Sequence, residues 1–240
     1  MTVKPVSNTS TSPTSTYGEH LPPGVAAALA AAEIPPSKLG VARRALLDET
    51  ERELYFWMLR RFATDGRPSR GDTAAAAERL GLDLNDALEV LAREDLVHLD
   101  AGAEVAVAYP FSGHATAHRV RFQSGHETYA MCAIDALGIA PMFEQTIEIA
   151  STDPLGGDEV RAKLTADGAA TWEPASAVVV AGVAKRSGDS FRGCCPALNF
   201  FSSAESGERW LEQHSGVRGH VVSMLDAIAA GRAVFGSVFG

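Results

Sequence analysis

The chain has three cysteines in 240 residues. Two are adjacent, Cys194 and Cys195, in "SFRGCCPALNFF". The third, Cys132, lies far upstream in "YAMCAIDALG". Cys132 and Asp135 are three residues apart. On a helix that spacing puts both side chains on one face, with Cβ atoms about 5–6 Å apart. A carboxylate placed there can accept a thiol proton or return it. Spacing alone also fits a small buried cysteine with an aspartate at the helix edge. The pair gains chemical meaning when a second thiol arrives from elsewhere.

The "GCCP" pair is the obvious supplier. Three cysteines cannot all pair within one chain. Neighbouring Cα atoms, about 3.8 Å apart, are too close for an ordinary disulfide. Free thiols in a reducing cytoplasm are the simpler reading. Thiolates prefer soft cations such as Cu(I), Zn and Hg(II). Structural zinc sites use four ligands, usually as repeated Cys-x-x-Cys pairs, and this sequence has no such pairs. Two thiolates from remote segments suit a soft cation of low coordination number. On a strand, Cys194 and Cys195 would point to opposite faces, and only one would reach a site.

Other chemical candidates are weaker. "HATAH" sets His114 and His118 at i, i+4, a metal-ligand spacing only if helical. It sits between "YPFSG" and the strand-like "HRVRF", so a pair of surface-loop histidines is expected. Trp172 in "DGAATWEP" falls in a turn-like loop. Gly156 and Gly157 form a turn, because no helix opening with Lys-Ser/Thr follows them to cradle a phosphate.

The elements that must position the thiols are legible in outline. Residues 1–23, "MTVKPVSNTSTSPTSTYGEHLPP", are rich in Ser, Thr and Pro and read as a disordered tail. A short Ala-rich helix follows at 24–33. Leu54, Met58 and Phe62 form one helical stripe. Ser69 and Asp72 have capping-box spacing at the start of a second helix. Leu84, Leu88 and Leu91 share a face of a third. "LVHLDAGAEVAVAYPF" then reads as two strands about a turn. Three helices and a hairpin make a winged-helix-like unit at 24–111. Residues 112–240 form a second domain. There "HRVRF", "FEQTIEIAS", "VRAKLTAD" and "SAVVVAGV" read as strands. "ETYAMCAIDALGI" reads as a helix carrying Tyr129, Cys132 or Ala133, Ala136 and Leu137. "CCPALNFFSS" is a strand leading to a helix capped by Ser203, and "VVSMLDAIAAGRAVFG" is a closing helix. No βαβ rhythm appears. The fold class is α+β, with a winged-helix-like helical unit before a domain of antiparallel or mixed sheet and flanking helices.

Composition sets limits. The chain is 46% apolar, enough for a substantial core, and its formal charge is −9. An acidic chain argues against broad nucleic-acid binding. No run approaches the 18 or so apolar residues of a membrane helix. The leader has no apolar core of the kind a secretory signal carries. The expected location is cytoplasmic, as a monomer or homodimer.

"YAMCAIDALG" followed some sixty residues later by "FRGCCPALNFF" resembles the alkylmercury lyase family. The aromatic pair, the following Ser, the Trp-containing helix "SAESGERWLEQHSG" and the "VVSMLDAI" segment are similar too. The resemblance covers roughly residues 45–230. It implies that Cys132 and Cys194 are the catalytic thiols and Asp135 the acid, with Cys195 a neighbour outside the primary set and a possible extra metal ligand. Two features depart from the pattern. "IASTDPLGG" lacks the further cysteine some members have between the motifs, and Pro196 directly follows the pair.

The implied reaction is protonolysis of a carbon–mercury bond, R–Hg⁺ plus H⁺ giving RH and Hg²⁺. Cys132 would bind R–Hg first, its proton passing to Asp135. Cys194 would add next, and Asp135 would protonate the departing carbon. Burial would raise the Asp135 pKa. Lys185, Arg186 and Arg192 are nearby in sequence as cations for the thiolates. The implied partners are an organomercurial substrate and, as acceptors of Hg²⁺, small thiols or a mercuric reductase. Mercury is substrate and product, and no cofactor is expected.

Two alternatives belong to other classes. A noncatalytic carrier of soft metals would need the thiols and not Asp135. A metal-responsive winged-helix regulator would have to read DNA with "LNDALEVLARED". That segment has one Arg against Asp86, Glu89, Glu94 and Asp95, so phosphate would repel it.

Overall fold

The computed structural model describes residues 23–31, 35–184 and 195–239. Most of the Ser/Thr/Pro tail, together with Lys185, Arg186, Arg192 and Cys194, lies outside the described residues.

Helix α1 spans Pro23–Ala31 and the short α2 spans Gly40–Arg44. Helix α3 (Glu49–Thr64) opens with a reciprocal capping box, Asp48 bonding the Glu51 N–H and Glu51 bonding back. Two of its orphan N–H donors are satisfied that way. Its Leu54, Met58 and Phe62 stripe is buried, as the spacing predicts. Helix α4 (Arg70–Arg79) is capped by Ser69, and α5 (Leu84–Arg93) by Asp83. Strands β1 (Val97–Leu99) and β2 (Val105–Ala108) pair antiparallel.

The hairpin is also the start of a larger sheet. Strand β3 (Phe111–Ser112) pairs with β2 on one side and with β5 (Glu127–Ala130) on the other. The sheet continues through β4 (His118–Phe122), β6 (Ile147–Thr152), β7 (Glu159–Leu164) and β8 (Ala170–Glu173), in the order β1-β2-β3-β5-β4-β6-β7-β8. Every pairing is antiparallel. The expected boundary between residues 111 and 112 therefore falls inside β3. The main apolar core of the described residues runs from Leu29 of α1 to Phe235, with a smaller cluster around Val180, Phe201 and Trp210.

One face of this sheet is dry and the other wet, as strand alternation requires. Val120, Phe122, Ile147, Ile149, Val160 and Leu164 point inward, while Arg119, Arg121, Glu148, Arg161 and Lys163 face solvent. Helix α6 (Ala133–Phe143) lies on the dry face and is buried nearly all round. A helix that is apolar but for Asp135 belongs in a core. A second sheet, β10-β9-β11, is formed by β9 (Val178–Ala184), β10 (Asn199–Phe201) and β11 (Val217–Ser223). Ser203 caps α7 (Ala204–Gln213), as expected, and Ser223 caps α8 (Met224–Phe235). Helices α6 and α8 meet through glycines. A Cβ on Gly231 would lie 2.9 Å from the Gly138 nitrogen and 3.0 Å from the Ile134 carbonyl.

Some local expectations are corrected. Tyr129 lies on strand β5, because the helix starts only after Cys132. His118 is buried on β4, where Nδ1 meets Ser151 Oγ at 2.9 Å, so it is no surface-loop residue. Burial pushes its pKa down to about 4. Trp172 sits on β8. Strand β11 occupies "VRGHVVS", where Gly219 and exposed polar residues hide the strand pattern.

Candidate functional site

The chain leaves β5 and enters α6 through Cys132, which occupies the N-cap position in extended conformation. That position normally favours Ser, Thr, Asp or Asn, whose side-chain oxygen accepts an orphan N–H of the first turn. Here the acceptor is sulfur: the Asp135 N–H donates to Cys132 Sγ at 3.4 Å. The positive end of the helix faces the same atom. The expected one-face relation of Cys132 and Asp135 holds, with Cys132 at the cap and Asp135 in the first turn.

Cys195 arrives from sixty residues away. It opens a single 3-10 turn, Cys195–Ala197, that leads into β10. The turn is tied to the start of α6, where the Ala133 N–H donates to the Leu198 carbonyl at 2.9 Å. This delivers the Cys195 thiol to Asp135, Sγ to Oδ2 being 3.8 Å. One liganding atom from each of Cys132, Asp135 and Cys195 lies within 4.8 Å of the others. The site thus brings Cys132 and Asp135 together, as expected, with Cys195 as the thiol in place. Cys194, the family-implied partner, lies outside the described residues.

Asp135 is 5% exposed. Burial pushes its pKa up to about 7, against the opposing pull of hydrogen bonds from Cys132 and Cys195 and of the Arg43 charge. Arg43 donates from Nη1 to the Asp95 carbonyl at 2.7 Å and to Asp95 Oδ2 at 2.6 Å. Asp95 also meets His98 Nε2 at 2.8 Å and holds φ at 54°. Arg43, anchored this way, draws the Asp135 pKa down; Lys185, Arg186 and Arg192, the cations expected beside the thiolates, lie outside the described residues.

Tyr109 completes the cluster, its hydroxyl 3.6 Å from Cys195 Sγ. Burial drives its phenol pKa far above the usual range, and the neighbouring Cys195 and Asp135 add to that. Neither Arg43 nor Tyr109 was legible from sequence, since each reaches the site from a separate element with no motif around it.

The three groups line a pocket of about 50 Å³ closed by Leu96, Ile134, Leu198, Val234 and Phe235. A larger cleft of about 370 Å³ lies on the wet face of the sheet, among Arg119, Arg121, Glu148 and Lys163. It holds neither thiol, so size does not mark the site here. Among the described residues, no other group of three His, Cys, Asp or Glu side chains could hold a metal ion.

Two thiols and a buried carboxyl around a small apolar pocket make a donor set of the kind that suits a soft metal. The sequence family agrees with that class. The family model for alkylmercury lyase (MerB) matches residues 111–236, more than half of the chain. The chain belongs to the alkylmercury lyase family. The alkylmercury lyase of Staphylococcus epidermidis is 29% identical over 188 residues, covering 77% of this chain and 84% of the relative. That of Bacillus cereus is 32% identical over 108 residues, about half of the relative's length. The mercury-bound form of MerB2 superposes with a TM-score of 0.67 over 82% of this chain and 96% of that one, at 17% identity. That likeness carries the fold.

Proposed function

We propose that this protein is an organomercurial lyase that breaks the carbon–mercury bond by protonolysis, with Cys132, Asp135 and Cys195 as the working groups. The observation that carries it is Asp135, a buried carboxyl with a pKa near 7 in contact with two thiols. A metal carrier needs thiols alone. A carboxyl that holds a proton near neutral pH is matched to the task of general acid.

The steps balance as follows. A substrate R–Hg–SR′ exchanges its small thiol for Cys132, and the Cys132 proton leaves with R′S⁻ as R′SH. Cys195 then binds mercury while its proton passes to Asp135 Oδ2, 3.8 Å away. Two thiolates on mercury push electron density onto carbon. Asp135 delivers its proton there, and the electron pair of the C–Hg bond becomes the C–H bond. Products are RH, R′SH and Hg²⁺ held by two sulfurs. Asp135 ends as the carboxylate it began as. Mercury is substrate and product, so the reaction needs no resident cofactor.

Free thiols or a mercuric reductase would then take Hg²⁺ from the pocket. A reducing cytoplasm suits two thiols that form no disulfide, and no helix of the described residues is long and apolar enough to cross a membrane. The test is hydrocarbon release from a simple organomercurial in excess thiol. Asp135→Ala should bind Hg²⁺ and release no hydrocarbon. If it releases hydrocarbon as fast as wild type, or if wild type only binds, protonolysis by Asp135 is wrong and the carrier reading takes its place.

A further inference from the structure

We propose that Asn199 is a positioning residue for the second thiol: its side-chain amide holds the turn that carries Cys195 and so fixes the gap between the two sulfurs. The part this plays in turnover rests on the lyase reading.

The segment Cys195–Ala197 is one turn of 3-10 helix, too short to hold its own shape. Pro196 at its centre has no N–H, so a neighbour can grip its backbone only at the carbonyl. Asn199 Nδ2 donates to that carbonyl at 2.9 Å. Leu198, between the two, accepts from the N–H of Ala133, the first residue of α6, at 2.9 Å. Together these bonds set the turn against the helix that Cys132 caps.

Asn199 is itself held from behind. Its side chain hydrogen-bonds the His118 ring, and His118 Nδ1 meets Ser151 Oγ at 2.9 Å. His118 and Ser151 are buried on the adjacent strands β4 and β6, on a face that elsewhere carries Val120, Phe122, Ile147 and Ile149. Polar groups on a dry face cost free energy unless they are bonded, and these two are bonded in a chain that leads out to Asn199. The bond between His118 and Asn199 favours the charged ring, as a bond donated by the ring does. With Nδ1 engaged by Ser151, Nε2–H is the donor and Asn199 Oδ1 accepts. That leaves Nδ2 for Pro196. The imidazole thereby sets which way the amide faces, since a flipped amide would aim oxygen at the Pro196 carbonyl. Phe200, next along β10, packs against the same ring with 5.7 Å between centroids.

The consequence is geometric. Cys132, Asp135 and Cys195 present their liganding atoms within 4.8 Å of one another. A soft cation shared by two sulfurs needs both at bonding distance at once, and a misplacement of about 1 Å can cost about a hundredfold in rate. Ser151, His118 and Asn199 connect the large sheet to Pro196 and hold that gap.

The test compares a reagent that needs both sulfurs with one that needs either. In a Cys194→Ser background, phenylarsine oxide condenses with two thiols, forming two As–S bonds and releasing water with no change of oxidation state. Iodoacetamide alkylates one thiol at a time. Asn199→Asp keeps the size and the acceptor and removes the donor. It should weaken arsenical binding about tenfold, while alkylation of Cys132 and Cys195, followed by mass spectrometry, stays within about twofold of the parent. Asn199→Ala removes both bonds without adding charge. It should act in the same way, and it answers the question if the aspartate variant folds poorly. With Cys194 restored, either change should slow single-turnover hydrocarbon release about tenfold. Arsenical affinity unmoved in both variants, or lost only in proportion to alkylation, overturns the proposal and leaves Asn199 as the start of a strand. The arsenical experiment uses no mercury compound. Failure of the lyase reading would instead appear as wild-type protein that releases no hydrocarbon.

Discussion

The backbone N–H of Asp135 donates to the sulfur of Cys132. In the proposed reaction, the residue that would carry the proton thus also anchors, through its own backbone, the residue that would first take the metal. Serine at position 132 keeps a good cap and loses the soft ligand. Cys132→Ser should therefore stay within about 1 kcal/mol of wild type in urea unfolding while hydrocarbon release falls at least about a hundredfold. Cys132→Ala should lose release as completely and about 1 kcal/mol of stability as well. Equal stability for the two variants would mean that the sulfur is no cap.

The vicinal cysteines should separate sharply. The described thiol at Asp135 belongs to Cys195, at the head of its short turn. Cys195→Ser should abolish single-turnover release, while Cys194→Ser should keep it within a few-fold of wild type. The reverse pattern would return the second catalytic role to Cys194, as the family resemblance implies.

Asp135 should leave a mark on stability against pH. Its folded pKa of about 7 lies above the unfolded value of about 3.9. Between those values the native state binds the extra proton, so stability is full below pH 4 and is lost as pH rises to about 7. It is flat above that. The whole drop is on the order of 4 kcal/mol. Asp135→Asn should remove this slope, so that the variant gains on wild type steadily from pH 4 to 7 in chemical denaturation. Parallel curves for the two proteins would show that Asp135 is ionised throughout.

Gly231 has no room for a side chain. Any Cβ there meets the backbone of α6 at about 3 Å, and backbone cannot swing aside. Gly231→Ala should cost about 1–3 kcal/mol by overpacking. It should also slow turnover, because Val234 and Phe235, one turn on, close the pocket. Wild-type stability in this variant would mean that α8 can shift freely on α6.

Local spacing carried much of the fold and half of the site. Leu54, Met58 and Phe62 revealed α3 because a stripe on one helix is a short-range pattern. Cys132 and Asp135 were paired for the same reason. The N-cap was missed because cysteine is not a usual cap, and the strand before it blurred into the helix at Tyr129. The choice between Cys194 and Cys195 depends on a turn, where alternation gives no guidance. Arg43 and Tyr109 reach the pocket from other elements, separated from Asp135 by 92 and 26 residues, and nothing near them in the chain marks their chemistry. Strand β11 was hidden because an exposed edge strand needs no alternating apolar face.

The ladder that runs unbroken from β2 through β3 to β5 bears on how such a protein can be recombined. The segment that carries the family signature begins at residue 111, yet a graft joined there would cut a strand from its neighbour and expose two raw edges. Tyr109 and Arg43 would be left on the discarded side. The span that the family model matches and the unit that physics can exchange have different borders in this chain.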